Sequence, residues 1–170
     1  MRKKTEYLAK AAVIAAVYVV LTYVSAAFGL AYGEVQFRLS EALTILPVFC
    51  PAAIPGVTLG CLLSNITSTV NAADMIVGTA ATLIASLGTY AARKITIKTY
   101  PLLSFLSPII ANGLIVGAEI AFFTDKNAFL KLFPLCAGSV AAGEAAVVFV
   151  IGTALFFAIE KNEKLKKLLR

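Results

Sequence analysis

Long apolar runs separated by short polar ones organise this sequence. From Leu8 to Phe28 apolar residues dominate for about 20 positions, enough to cross a hydrocarbon core of about 30 Å as an α-helix. A second run, from Phe37 to Val70, is too long for one crossing and is interrupted by Pro47, Pro51 and Pro55. Proline removes a backbone donor and clashes with the preceding turn, so the pattern predicts a break near Pro51–Pro55 and two helices, over 38–51 and 54–70. Three more spans are predicted over 74–92, 101–123 and 133–159. Residues 160–170 read as a short basic helix with Leu165, Leu168 and Leu169 on one side, lying at the cytoplasmic surface against anionic lipid. The predicted fold is all-α: residues 1–170 form a single membrane domain, a polytopic bundle of six transmembrane helices.

The stretch Tyr32-Gly33-Glu34-Val35-Gln36-Phe37-Arg38-Leu39-Ser40-Glu41 places three charges between the first two runs. If a helix has begun by Glu34, then Glu34, Arg38 and Glu41 share one face. Such a stripe at the mouth of a membrane bundle is either a solvated rim or a binding site.

Composition supports the membrane reading. The 170 residues are 60% hydrophobic and 14% charged, against about 45–50% and about 25% in globular chains. The net charge of +6 does not indicate nucleic acid, because Lys and Arg concentrate at Arg2–Lys4, Arg93–Lys98 and Lys161–Arg170, each flanking an apolar run. Cytoplasmic loops of membrane proteins are basic in this way. Six spans put all three clusters on one side, so both termini are expected in the cytoplasm of a cell that holds this chain in its plasma membrane. Only Lys126 and Lys131, beside Asp125, fall outside. The basic start, apolar run and Ser25-Ala26-Ala27 resemble a cleavable signal, but losing the first span would separate the basic clusters, so it is expected to be retained. The three cysteines lack C-x-x-C spacing and the chain has no histidine, so no metal, haem or other cofactor is expected.

In this topology Glu34, Arg38, Glu41, Asn65, Asn71, Asp74 and Glu119 map to the outer half, and Asn112 and Glu144 nearer the midplane. The inner halves carry almost no charge. That distribution describes a cup open to the outside, since a pore needs polar lining through its full depth. Glu119 and Glu144 are the sharpest signals. A carboxylate at the centre of a span costs about 2.5–3.5 kcal/mol, against about 0.3–0.6 kcal/mol returned by each aliphatic residue, so it faces the bundle interior, for a ligand or for pairing with Arg38. Asn65 and Asn112 need their amide hydrogen bonds met by a neighbouring helix or a ligand. Tyr32, Phe37, Phe122 and Phe123 form an interfacial belt or offer a ring for stacking. Small residues recur at spacing four at Ala11/Ala15, Ala12/Ala16, Gly29/Gly33, Gly56/Gly60 and Gly113/Gly117, which permits close helix approach. No phosphate loop, activated nucleophile or metal-ligand spacing is present, so the chain is not expected to be an enzyme; any ATP hydrolysis belongs to another chain.

These residues resemble the QueT family, substrate-binding (S) components of energy-coupling-factor (ECF) transporters that take up queuosine precursors. The resemblance rests on the stretch from Tyr32 to Leu43, on Ala53-Ile54-Pro55-Gly56 leading to Gly60-Cys61-Leu62-Leu63-Ser64-Asn65, and on Asp74 followed by Gly78-Thr79-Ala80-Ala81-Thr82-Leu83. It continues through Asn112-Gly113-Leu114-Ile115-Val116-Gly117-Ala118-Glu119 and Gly143-Glu144. It implies a six-helix S component docked on a transmembrane scaffold protein and two cytoplasmic ATPases. An alanine-x-x-x-alanine surface on the first helix would meet the scaffold, through Ala11/Ala15 or Ala12/Ala16. The implied substrate is a 7-deazaguanine, the 7-cyano or 7-aminomethyl base, bound near the outer face. Its N1–H and exocyclic amino group suit a carboxylate as a bidentate pair. Glu41, Glu119 and Glu144 are the candidates, with Asn65 or Asn112 answering the ring acceptors and Arg38 completing the set. The alternatives are an S component for another small heterocycle or vitamin, a proton-coupled secondary carrier using Glu119 or Glu144, and a purely structural membrane protein.

Overall fold

The computed structural model describes residues 2–31, 37–66 and 72–169. Their order is α1 (Arg2–Ala27), a 3₁₀-helix (Leu39–Val48), α2 (Ala53–Asn65), α3 (Ala72–Ala92), α4 (Leu102–Thr124), a 3₁₀ turn (Lys126–Ala128) and α5 (Phe129–Val147). A π turn (Val148–Gly152) joins α5 to α6 (Thr153–Lys161), and α7 (Glu163–Leu169) follows. Among the described residues no strand forms beyond an isolated bridge between Ile97 and Tyr100. Four helical stretches among the described residues are long and apolar enough to cross a membrane: Lys3–Ala27, Ala73–Ala92, Leu102–Thr124 and the continuous run Lys126–Lys161. They correspond to the first, fourth, fifth and sixth predicted spans.

The predicted helices over 38–51 and 54–70 are shorter among the described residues. Leu39–Val48 has 10 residues and Ala53–Asn65 has 13. At rises of about 2.0 and 1.5 Å per residue, each is about 20 Å long. The break falls at Pro51, as the prolines predict. A helix starting by Glu34 is not what aligns Arg38 with Glu41: Arg38 is extended, the helix begins at Leu39, and Glu34 lies outside the described residues.

The 3₁₀-helix is the hub of the bundle and touches α1 through α6. Residues 40–47 are all buried. Three residues per turn sort such an element into three rows, each serving a different neighbour. Leu43 and Leu46 pack with Tyr18 of α1 and Val57 and Cys61 of α2. Ile45 and Val48 pack with Phe105 of α4, Val148 and Phe156. The third row, Glu41 and Thr44 in line with the preceding Arg38, is polar and fully interior.

Small residues set the helix crossings. A Cβ on Gly60 would lie 2.6 Å from Tyr18 Cβ, and one on Gly56 3.0 Å from the Ala11 carbonyl, so α1 and α2 meet at Ala11/Ala15 against Gly56/Gly60. A Cβ on Gly117 would lie 2.5 Å from Ala137 Cα, which fixes α4 against α5. Between α3 and α4 the clasp is polar: Thr89 Oγ1 donates to the Ser104 carbonyl at 3.0 Å, and Ser104 Oγ donates to the Thr89 carbonyl at 2.9 Å.

Helix ends follow local chemistry. Gly29 takes φ +71°, and α1 closes with Gly29 N–H on Ala26 O and Leu30 N–H on Ser25 O, both at 2.9 Å. This is the paired closure that a left-handed residue after a helix permits. Asn162 interrupts the last helix and caps α7, its Oδ1 accepting from Lys164 N at 3.0 Å and Leu165 N at 3.2 Å. The predicted basic tail is therefore a separate helix, anchored by Leu169 on the core around Ile14 and Cys50.

Candidate ligand site

The site is assembled on α1, which carries Tyr18, Thr22 and Ser25 on one face, all fully buried. Ser25 Oγ accepts from Leu39 N at 2.9 Å, pinning the start of the 3₁₀-helix. Thr22 Oγ1 lies 2.8 Å from Ser40 Oγ. The Tyr18 hydroxyl donates to Glu41 Oε1. Three contacts thus fix the height and rotation of the element that carries Arg38 and Glu41.

Arg38 ties three segments together. Its Nε donates to the Ala31 carbonyl at 2.8 Å, Nη1 donates to Asn65 Oδ1 at 3.2 Å, and Nη2 stands 3.5 Å from Asp74 Oδ2. Asn65 Nδ2 in turn donates to the Asp74 carbonyl at 3.1 Å. A side chain on Gly78 would collide with this group, its Cβ falling 2.8 Å from Asn65 Nδ2 and 2.9 Å from Asp74 Oδ1. Glycine at 78 is what lets α2 and α3 close over the ion pair.

Beside this group lies a cavity whose polar wall is Arg38, Glu41, Thr82, Asn112 and Glu144, completed by Gly78, Val116 and Val140. The free space is about 10 Å³, room for about one water molecule. Asn112 faces both Glu41 and Glu144 and interacts with each carboxylate. Oε2 of Glu41 and Oε1 of Glu144 are nonetheless buried with no hydrogen-bond partner among the described residues. Burying such atoms without a partner is costly, so they are the sites' free valences for a donor. One guanidinium faces four buried carboxylates here: Asp74 at 2% exposure, Glu41 at 3%, Glu144 at 5% and Glu119 at 7%.

Of the predicted binding residues, Arg38, Glu41, Asn112 and Glu144 come together on one cavity. Asn65 stands behind Arg38 and holds it. Glu119 lies on the same α4 face as Asn112 and Val116 but off the cavity wall, with both oxygens unpartnered among the described residues. Arg38 forms an ion pair with Asp74, a partner that the sequence reading did not name. Phe122 and Phe123 are exposed and stack edge to face on each other, away from the cavity. Tyr32, Glu34, Gly33 and Asn71 lie outside the described residues. Of the alanines, Ala11 and Ala15 are buried against α2, while Ala12 and Ala16 are exposed.

Sequence reasoning did not assign Tyr18, Thr82 or Gly78 to the site, although Gly78 and Thr82 stand in a stretch that carries the family resemblance. The spacing of Tyr18, Thr22 and Ser25, a polar stripe in an otherwise apolar span, is the signal that marks the α1 side of the site.

The family model of the QueT transporters covers residues 8–161 of this chain. The queuosine precursor transporter QueT of Lactococcus lactis subsp. cremoris (strain MG1363) is 40% identical over 83 residues, which are 49% of this chain and 48% of that protein. The chain thus matches about half the length of this curated relative. No solved structure matches the chain significantly. An all-helical, multi-pass membrane bundle, with its polar residues gathered on one buried cavity and a family match across nearly its whole length, belongs to the QueT transporter family.

Proposed function

We propose that this protein is the S component of an ECF-type importer and captures a 7-deazaguanine queuosine precursor from outside the cell. The observation that carries the reading is the convergence of Glu41 and Glu144 on Asn112, each with one buried oxygen awaiting a donor. A guanine-like edge presents N1–H and an exocyclic amino group side by side, and the open oxygens of Glu41 and Glu144 accept one each as charge-assisted hydrogen bonds. Asn112, with a carbonyl and an amide nitrogen, answers the mixed acceptors and donors of the ring. Arg38, held by Asn65 and Asp74, closes the wall and offsets part of the negative charge. Four carboxylates against one guanidinium favour a ligand rich in donors or carrying a cation, as the 7-aminomethyl base does. Glu119, one helical turn beyond Val116 and off the present cavity wall, with both oxygens buried and unpartnered among the described residues, is the second carboxylate for that cation.

A fused bicyclic base is larger than about 10 Å³ of free space, so capture requires the walls to part. The chain path suits six passes with both termini in the cytoplasm. Tyr7 near the start of α1 meets Pro51 in the break between the two short helices. Arg38, ahead of the first of them, meets Asp74 in the first turn of α3. Tyr100, between α3 and α4, meets Thr153 in the last third of the final run. The 3₁₀-helix then runs through the bundle interior, while α2 packs on α1, α3 and the 3₁₀-helix with Leu59 and Leu63 turned outward. The exposed pair Ala12/Ala16 is the surface left for the transmembrane scaffold protein, and ATP hydrolysis lies on two partner ATPases in the cytoplasm.

Uptake of labelled 7-aminomethyl-7-deazaguanine tests this assignment. Cells making this protein together with the scaffold and ATPases accumulate the base, and cells making it alone do not. Accumulation without those partners, abolished by collapsing the proton gradient, contradicts the S-component reading and favours a secondary carrier.

A further inference from the structure

We propose that the basic end of the bundle carries a second site, which holds the phosphodiester headgroup of an anionic phospholipid. It lies between the first turns of α1, the turn at 50–52 and the end of α7. Lys3, Tyr7 and Lys10 recur at i, i+4 and i+7 on α1 and so share one face. That face forms one wall of a cavity of about 350 Å³, whose floor is Cys50, Pro51 and Ala52 and whose far side is Leu169. The Tyr7 hydroxyl donates to the Pro51 carbonyl at 3.4 Å and braces the ring across the gap. Leu169 packs against the core, so α7 is docked and the cavity is a feature of the fold.

The charges define the ligand. Glu6 also lines the cavity, so its lining carries two ammonium groups and one carboxylate, a net positive charge to which Lys4 on the adjoining groove adds. A phosphodiester carries one negative charge and matches it. Lys166 of α7 is already engaged with Glu160, which leaves Lys3 and Lys10 as the groups for the phosphate. The neighbouring surface defines what is attached to that phosphate. A second groove, of about 370 Å³, shares Lys3 and Tyr7 with the cavity and continues past Lys4 to Leu8. Leu8 is 65% exposed on the outside of the bundle, where acyl chains run. A chamber with two ammonium groups on its wall that adjoins an apolar groove suits an amphiphile, with the headgroup inside and the chain along α1. Lysines with apolar stems are suited to this position, since the stem lies along hydrocarbon while the ammonium reaches the phosphate layer.

The site lies at the opposite end of the molecule from Arg38 and Glu144 and does not depend on which ligand they bind. It is tested with the full chain in detergent by native mass spectrometry. Phosphatidylglycerol and phosphatidylcholine of identical chains are titrated alongside sn-glycerol 3-phosphate. One phosphatidylglycerol is expected per protein, retained about tenfold or more tightly than phosphatidylcholine. Lys3→Gln with Lys10→Gln erases that preference, and Lys3→Arg with Lys10→Arg keeps it. Lys126→Gln with Lys131→Gln, in the 3₁₀ turn and the first turn of α5, leaves it unchanged. A preference that survives Lys3→Gln with Lys10→Gln overturns the site. Equal retention of the two lipids overturns the charge match. Glycerol 3-phosphate competing as tightly as the lipid assigns the cavity to a soluble phosphate and overturns the lipid.

Discussion

Toward one end of the bundle the interior is polar, with Arg38, Asp74, Asn65, Asn112 and three glutamates buried among α1–α5. Toward the basic end the same elements bury aromatic rings. Tyr100 stacks on Phe105 at 4.6 Å between ring centres, Phe156 meets both at 5.9 Å, and Phe49 meets Phe156 at 5.3 Å. The change occurs within single elements: α4 runs from Phe105 to Asn112 and Glu119, the 3₁₀-helix from Glu41 to Ile45, and the last run from Glu144 to Phe156. The π turn at Val148–Gly152 falls at this boundary and packs against the 3₁₀-helix. Single π turns inside helices accompany functional sites because they re-aim the residues beside them. The two halves divide the work. The aromatic half holds the helices together by ring packing and by satisfied hydrogen bonds such as Thr89–Ser104 and Tyr100–Thr153. The polar half instead keeps oxygens of Glu41, Glu119 and Glu144 without partners among the described residues.

Substitutions at the two ends should therefore differ in kind. The largest effect is expected at Arg38. Arg38→Ala leaves Asp74 as a buried charge without its cation and should cost about 3–5 kcal/mol of stability in detergent unfolding, with binding lost. Arg38→Met combined with Asp74→Leu should recover most of that stability but none of the binding. Phe105→Ala removes the centre of the aromatic half and should cost about 3–5 kcal/mol while the folded fraction keeps its ligand affinity. A binding loss as large as that of Arg38→Ala would erase the distinction between the ends. Tyr18→Phe takes the donor from Glu41 Oε1 and should cost about 1–2 kcal/mol, with a partial loss of affinity read by calorimetry. The smallest change in stability, within about 0.5 kcal/mol, is expected for Ala12→Leu with Ala16→Leu on the exposed face of α1. That variant should bind ligand normally and fail to co-purify with the scaffold, whereas Ala11→Leu, pressed on Gly56, should destabilise by about 1–3 kcal/mol.

Much of this was legible in the sequence because carboxylates and asparagines are expensive within apolar spans. Their presence at 41, 112 and 144 announces an interior polar site before any coordinates exist, and the structure brings them to one cavity. The long helices were legible for a related reason: only their length and apolar continuity matter for crossing a bilayer. Tyr18 and Thr82 were hidden because tyrosine and threonine cost little in a membrane helix and read equally as interface or packing residues. The partner of Arg38 was hidden because pairing is three-dimensional: Asp74 reaches it only where Gly78 leaves space. Nor does apolar periodicity distinguish a 3₁₀-helix from an α-helix when nearly every position is buried, as over 40–47. Its three rows differ in the neighbours they meet, and those neighbours are brought together only by the packed bundle.

The central claim, that Glu41 and Glu144 with Asn112 form a deazaguanine site, is tested most directly by equilibrium binding to the detergent-purified protein. The ligands are 7-aminomethyl- and 7-cyano-7-deazaguanine, with guanine, riboflavin and biotin beside them, and the variants are Glu41→Gln, Glu119→Gln and Glu144→Gln. The account predicts tight binding of a deazaguanine that excludes riboflavin and biotin. It predicts about 10–100-fold weakening by Glu144→Gln, the loss of one charge-assisted hydrogen bond, with no loss of melting temperature. Well-folded protein that binds neither deazaguanine, or binds one with undiminished affinity after both Glu41→Gln and Glu144→Gln, would contradict it.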